Sequence, residues 1–299
     1  MSRGGEVGFH HRAVVVAVAA GALLALAATS SENEARGVDV HVFRFVDHSR
    51  TVLLPDGRRV ARPVTTVVRY PTSGGPYPLV VFGHGFTLTP GTYSALPRAR
   101  TRAGYVVAAP VFPLGNANAP GGPTEADLPN QPADMSLVIT RLLALARQRG
   151  GLLHGRIDPR RIAVAGQSDG GVTALGAAYD SRYRDRRIRA AVILSGAEPT
   201  GMVTFPRHGP PLLAIQGTAD PINNAANTEA YYRLAPRPKF LVLLLGASHL
   251  PPYTTEQPQL GTVERVTIAF LDHYLGNAPL RELIAAGNRA GVATLSEAP

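Results

Sequence analysis

The sequence predicts an α/β fold in which a mainly parallel central sheet carries helices on both faces and begins with antiparallel strands. Three observations lead there. Continuous apolar runs of strand length, residues 77–82 and 105–109 among them, read as strands buried on both faces. Stretches with apolar residues at helical spacing lie between such runs, and this alternation favours parallel pairing through crossovers. Finally, the apolar run 162–165 stops at Gly166-Gln167-Ser168-Asp169-Gly170 and resumes as Gly171, Val172, Ala174, Leu175 and Ala178. That is the pattern of a strand, a sharp turn and a helix packed closely on a sheet.

Taken in order, residues 1–27 read as a secretory signal peptide. Arg3, His10, His11 and Arg12 precede an apolar stretch from Ala13 to Ala28, and Ala25-Leu26-Ala27 matches a small-residue cleavage site. The stretch is short of the roughly 20 apolar residues that span a bilayer. Export follows, with a secreted protein not inserted in the membrane once the signal is cleaved. Residues 28–37 are polar, as a linker would be. Residues 38–287 are expected to form the one catalytic domain, and residues 288–299 a C-terminal tail with little pattern.

Within the domain, residues 38–46 alternate apolar and polar, and 51–54 with 59–70 supply further strand around the Pro55-Asp56-Gly57 turn. The buried strand 77–82 runs straight into Gly83-His84-Gly85-Phe86. A helix over 93–103 leads to strand 105–109, and the Pro-, Gly- and Asn-rich stretch 110–132 reads as a long surface loop on the rim of a binding site. Met135, Val138, Ile139, Leu142, Leu143 and Ala146 form one face of an amphipathic helix with Asp134 placed as its cap. Beyond the Ser168 turn come strand 188–194, strand 211–215, helix 225–234, strand 240–245 and a final helix over 262–275. No amphipathic lid and no inserted cap domain is apparent.

Composition narrows the function classes. With 45% hydrophobic and 17% charged residues, the 299-residue chain suits a single folded core. Thirty basic against 21 acidic residues give +9, nearly all of it arginine, since Lys239 is the only lysine. The densest basic run, residues 182–189, reads as a solvated loop, and no nucleic-acid-binding module accompanies it. There is no cysteine, hence no disulfide and no lipoprotein attachment. No metal-ligand spacing is present, and no metal or other cofactor is expected.

Ser168 carries the chemistry. A serine on a strained strand-to-helix turn leaves no room for a β-carbon two residues before or after it, which explains Gly166 and Gly170. Its hydroxyl needs a general base and a carboxylate to orient that base. In chain order after such a serine come the acid and then the histidine, each just past a strand. Asp220 follows strand 211–215 and His249 follows strand 240–245. Glu198, after strand 188–194, is the rival acid. His84 is the rival histidine, but it precedes the serine and is read as structural or supporting, beside Gly85 and Gln167. Two amides would hold an oxyanion, those of Phe86 and Asp169. The Phe86 ring would then stand at the mouth of the site. A carboxylate at Asp169 disfavours anionic acyl groups if it faces the site.

His84-Gly85-Phe86-Thr87, Gly166-Gln-Ser-Asp-Gly-Gly171, Gly217-Thr-Ala-Asp220 and Gly246-Ala-Ser-His249 together resemble the α/β-hydrolase superfamily over about residues 60 to 276. The likeness is to its secreted bacterial branch of cutinase-like polyester hydrolases, lipases, and dienelactone-hydrolase-like and platelet-activating-factor-acetylhydrolase-like enzymes. The resemblance implies a serine esterase with Ser168 as nucleophile, His249 as base, Asp220 as acid, and Phe86 and Asp169 as oxyanion amides. A monomer acting on a small-molecule or polymeric ester is expected. Gln167 and Asp169 replace the His and Met that flank the serine in polyester hydrolases, and tryptophan and the C-terminal disulfide of that branch are missing. An amidase or peptidase would use the same triad, and a non-catalytic binding protein on this fold is the reading from another class.

Overall fold

The computed structural model describes residues 37–198 and 203–298. The expected signal peptide, and all but residue 37 of the linker, lie outside them. Nine strands form one sheet in the order β1-β2-β4-β3-β5-β6-β7-β8-β9. β1 (Val38–Leu53) and β2 (Arg59–Pro71) pair antiparallel, with an irregularity between Asp47 and Thr51, and β2 pairs antiparallel with β4 (Val106–Pro110). From β4 through β3 (Tyr77–Gly83), β5 (Ile157–Gln167), β6 (Ile188–Leu194), β7 (Leu212–Gly217) and β8 (Lys239–Leu244) the pairing is parallel. The expected mixed sheet, antiparallel first and parallel after, is what forms.

The period-2 pattern of the parallel strands divides the core. Leu79, Val81, Ile162, Val164, Ala191 and Ile193 face one side, where they meet Met135, Val138, Ile139 and Leu142 of α2 (Gln131–Arg147), Ala174 and Leu175 of α3 (Asp169–Tyr179), and Tyr231 of α4 (Ala225–Leu234). Val80, Phe82, Ala163, Ala165, Val192 and Leu194 face the other, against Leu96 of α1 (Ala95–Arg102), Val263, Val266 and Phe270 of α5 (Gln259–Leu275) and Leu283 of α6 (Leu280–Gly287). Burial on both faces explains why these strands read as continuous apolar runs.

Three expectations need correction. Asp134 does not cap α2: the helix begins at Gln131, and Asp134 is fully buried inside its first turn. Its carboxylate is committed to Arg62 Nε and Nη2 at 2.7 and 2.6 Å, while Arg62 also grips Asp127 at 2.7 Å through both terminal nitrogens. A charge so deep is retained only when its oxygens are well supplied with donors, and Arg62 supplies two of them with Arg50 Nη2 adding a third at 2.7 Å. This ion pair pins the 110–132 loop, which contains a 3-10 turn at Glu125–Asn130, onto β2. Second, helix 93–103 splits into a 3-10 turn Pro90–Tyr93 and α1. Third, the C-terminal tail is structured. β9 (Ala293–Ala298) pairs antiparallel with β8 along its whole length and covers what would be an open edge, and α6 precedes it.

Candidate active site

The strand order reverses between β3 and β5, so their carboxyl ends open a crevice of the kind that binds ligands in α/β sheets. β3 ends at Gly83 and delivers His84-Gly85-Phe86 there; β5 ends at Gln167 and delivers Ser168. Ser168 has φ 56° and ψ −124°, a conformation costly for any residue with a β-carbon. Its amide donates to Leu194 O at 3.0 Å, and its carbonyl receives the amides of Gly171 and Val172 at 2.8 and 3.1 Å. A β-carbon on Gly166 would overlap the Gly170 carbonyl, and one on Gly170 would overlap the Gly83 carbonyl. Both glycines are therefore required for this turn to sit against β3.

The structure brings Ser168, His249 and Asp220 together from three strand ends. Ser168 Oγ lies 3.0 Å from His249 Nε2, and His249 Nδ1 lies 2.8 Å from Asp220 Oδ2. Two loops make this possible. A β-carbon at Gly217 would strike the Ala247 and Ser248 carbonyls, so glycine lets the loop after β7 meet the loop after β8, and the Ala219 amide donates to Ala247 O at 3.0 Å. The Asp220 side chain is fully buried, yet it is well supplied with donors: Ile222 N and Asn223 N reach Oδ1 at 2.9 Å each, and Gln216 Nε2 reaches Oδ2 at 3.1 Å. Burial works against its charge, but the hydrogen bond to His249 and the amides of Asn223 and Ile222 outweigh it and hold the carboxyl below its ordinary value.

Glu198 is not placed beside His249. Its Oε1 accepts from Val203 N at 2.8 Å. His84 is buried, and burial, only partly opposed by the Gly85 carbonyl, lowers its pKa to about 4. The neutral ring accepts from Phe112 N at Nε2 (3.1 Å), which leaves the proton on Nδ1 to donate to Gly85 O (2.8 Å). It thereby ties the end of β3 to the segment after β4 and sets the position of Phe86. Among the described residues, neither the Phe86 amide nor the Asp169 amide has a hydrogen-bond acceptor.

Sequence reasoning missed several residues here. Tyr93 accepts from Gly85 N at 3.1 Å and donates to Gln167 Oε1 at 2.6 Å; Gln167 Nε2 in turn donates to the His249 carbonyl at 3.0 Å. One phenol thus links the loop that carries Phe86 to the loop that carries His249. Gln216, buried at the end of β7, braces Asp220, and its Oε1 accepts from Thr228 at 2.7 Å. Ser195, also at positive φ (41°), accepts at its carbonyl from Asn223 Nδ2 at 2.7 Å and bonds Tyr253 through its hydroxyl at 2.8 Å. Gln216 and Ser195 lie at strand ends, the one hint the sequence offers for them, and Tyr93 has none.

Around Ser168 lies a cleft of about 700 Å³. Phe86, Leu88, Leu128, Val172, Ile222 and Leu250 make it mainly apolar, and Asp169 and Glu125 add two carboxylates. Burial, then the nearby Glu125 charge, push the Asp169 carboxyl up to about 6, with His249 opposing. Among the described residues no cluster of three His, Cys, Asp or Glu side chains could hold a metal ion, and no helix is long and apolar enough to cross a membrane.

No curated protein matches the sequence at a significant level. A family model described as Chlorophyllase matches residues 40–219. The matched span runs from β1 to the end of β7 and includes Phe86, Ser168 and Asp169; Asp220 and His249 fall beyond it and are joined to the site by geometry alone. Since that span exceeds half of the chain, the protein belongs to the chlorophyllase family, an α/β-hydrolase-type family of carboxylic ester hydrolases.

Proposed function

We propose that the protein is a secreted, monomeric serine esterase that cleaves apolar carboxylic esters through an acyl-enzyme. The observation that carries this reading is the unbroken relay from Ser168 Oγ to His249 Nε2 at 3.0 Å and from His249 Nδ1 to Asp220 Oδ2 at 2.8 Å. His249 takes the Ser168 proton as the oxygen attacks the ester carbonyl, and the buried Asp220 carboxylate fixes the ring's tautomer and steadies the imidazolium. The amides of Phe86 and Asp169 receive the oxyanion. His249 then protonates the departing alcohol, and water hydrolyses the acyl-enzyme by the same route in reverse. The chain needs no cofactor for these steps.

The apolar cleft suits an acyl or alcohol group of moderate length. The absence of tryptophan, and Gln167 and Asp169 beside the nucleophile, favour small-molecule esters over a polyester or a lipid surface. Secretion rests on the signal-like residues 1–27. The test is hydrolysis of p-nitrophenyl esters from acetate to palmitate, with chlorophyll alongside, by the mature protein and its Ser168→Ala variant. We expect the best rates on short to medium chains and a loss of kcat of about 10⁴-fold or more in the variant. Equal hydrolysis by the variant would sink the reading, and a folded protein that hydrolyses amides but no ester would replace it with the amidase one.

A further inference from the structure

The protein carries a net charge of +9, yet no lysine or arginine lines the cleft around Ser168. Its acidic groups are the two carboxylates, Asp169 and Glu125. Several other aspartates of the protein are held differently. Asp47, Asp134, Asp158, Asp180 and Asp185 each accept from an arginine, and Asp220 is saturated by amides and His249. No hydrogen bond or ion pair reaches the carboxylate of Asp169 or of Glu125 among the described residues, although arginine is abundant. Glu125 stands at the start of the 3-10 turn that the Arg62–Asp127 ion pair fastens to the sheet, and that turn packs against the start of α3, where Asp169 sits. The two carboxylates are thus held on rigid elements, facing one cleft.

From this arrangement we infer that the cleft selects for charge: its preferred esters carry a cationic group, of the substituted-ammonium kind, within reach of Asp169 and Glu125, and esters with an anionic group there are refused. The inference rests on the esterase reading and names the substrate class for that site. A lipophilic ammonium fits the chemistry of the walls. Its alkyl groups replace water against Phe86, Leu128 and Ile222, while its charge needs no directed hydrogen bond and is satisfied by carboxylates at several ångströms. A primary amine or a guanidinium would find too few acceptors beside it. An anion would meet two like charges and no compensating cation.

The experiment compares three p-nitrophenyl esters that differ only at the tip of the acyl chain: tert-butyl, its trimethylammonium isostere and a sulfonate. We expect the ammonium ester to exceed the neutral one in kcat/KM by about fivefold or more at low salt, with the sulfonate lower than both by at least that factor. The ammonium-to-neutral ratio should fall toward one in Asp169→Asn, in Glu125→Gln and most in the double variant; Glu125, on the surface, provides a variant that does not disturb the Ser168 turn. A ratio at or below one in the wild type, with the neutral ester cleaved, overturns the inference and leaves the esterase reading standing. If no ester is cleaved the esterase reading fails, and the inference is then decided by calorimetric binding of benzyltrimethylammonium: it survives if the wild type binds and the double variant binds about fivefold or more weakly, and otherwise falls.

Discussion

Two aspartates flank the Ser168–His249 pair, and the protein treats them in opposite ways. Asp220 is the more deeply buried, with a side chain closed to solvent, yet its carboxyl is held below its ordinary value because two amides, Gln216 and His249 surround it. Asp169 is only half-buried, but with nothing donating to its side chain among the described residues its carboxyl rises to about 6. Burial alone therefore does not decide ionisation here; the number of donors built around the group does. The carboxylate placed against His249 has been given donors, and the one that lines the cleft has been left without them.

The strongest way to break this contrast is to remove the Asp220 charge. Asp220→Asn keeps the volume but offers His249 the wrong partner, so the imidazole loses its oriented tautomer. We expect kcat on a neutral ester to fall by about 10⁴-fold while the protein stays folded. Activity within about tenfold of wild type would pass the acid's role to another group, with Glu198 first in line. A milder test removes one donor from Asp220. Gln216→Leu deletes the 3.1 Å bond to Oδ2 and should lower kcat by about 10–100-fold with KM little changed, as loss of an orienting partner does. A fall in melting temperature without a fall in kcat would make Gln216 a packing residue only.

How much of this was legible in the sequence follows from distance along the chain. The Ser168 turn was legible because its requirement is local: Gly166 and Gly170 each lie two residues from the serine and each clears a backbone carbonyl. Asp220 and His249 were legible because a parallel sheet places strand ends side by side, so counting strands substitutes for seeing them. Tyr93 was not, since its partner Gln167 is 74 residues away and a tyrosine at the edge of a helix reads equally well as core. The same holds for Arg62 and Asp134, 72 residues apart, where a buried ion pair took an acidic residue that local rules assign to a helix cap. β9 escaped notice because an edge strand with one exposed face carries a weak pattern, Ala293-Thr-Leu-Ser-Glu-Ala298, and gains its stability from pairing with β8.

The smallest expected effect sharpens the contrast from its other side. A carboxyl whose folded value, about 6, lies above the ordinary 3.8 costs the folded state stability once it ionises. The sign is fixed: the favourable balance is intact below about 3.8, where the group is protonated folded or unfolded, and is lost as pH rises through about 6. Asp169→Asn removes the titration, and since the group is partly open to solvent the gain should be discounted to on the order of 1 kcal/mol. For a domain of this size that corresponds to a melting temperature about 2–4 °C above wild type at pH 8, converging with wild type below pH 4. The Asp220→Asn variant should do the reverse. Its lowered carboxyl contributes stability that is present above the ordinary value and lost as pH falls through the folded one, so the variant should melt lower than wild type at pH 8 and approach it in acid. Thermal melts of the two variants across pH 3 to 8 would therefore diverge in opposite directions from the wild type, and curves displaced the same way would show that the two carboxylates are not held differently after all.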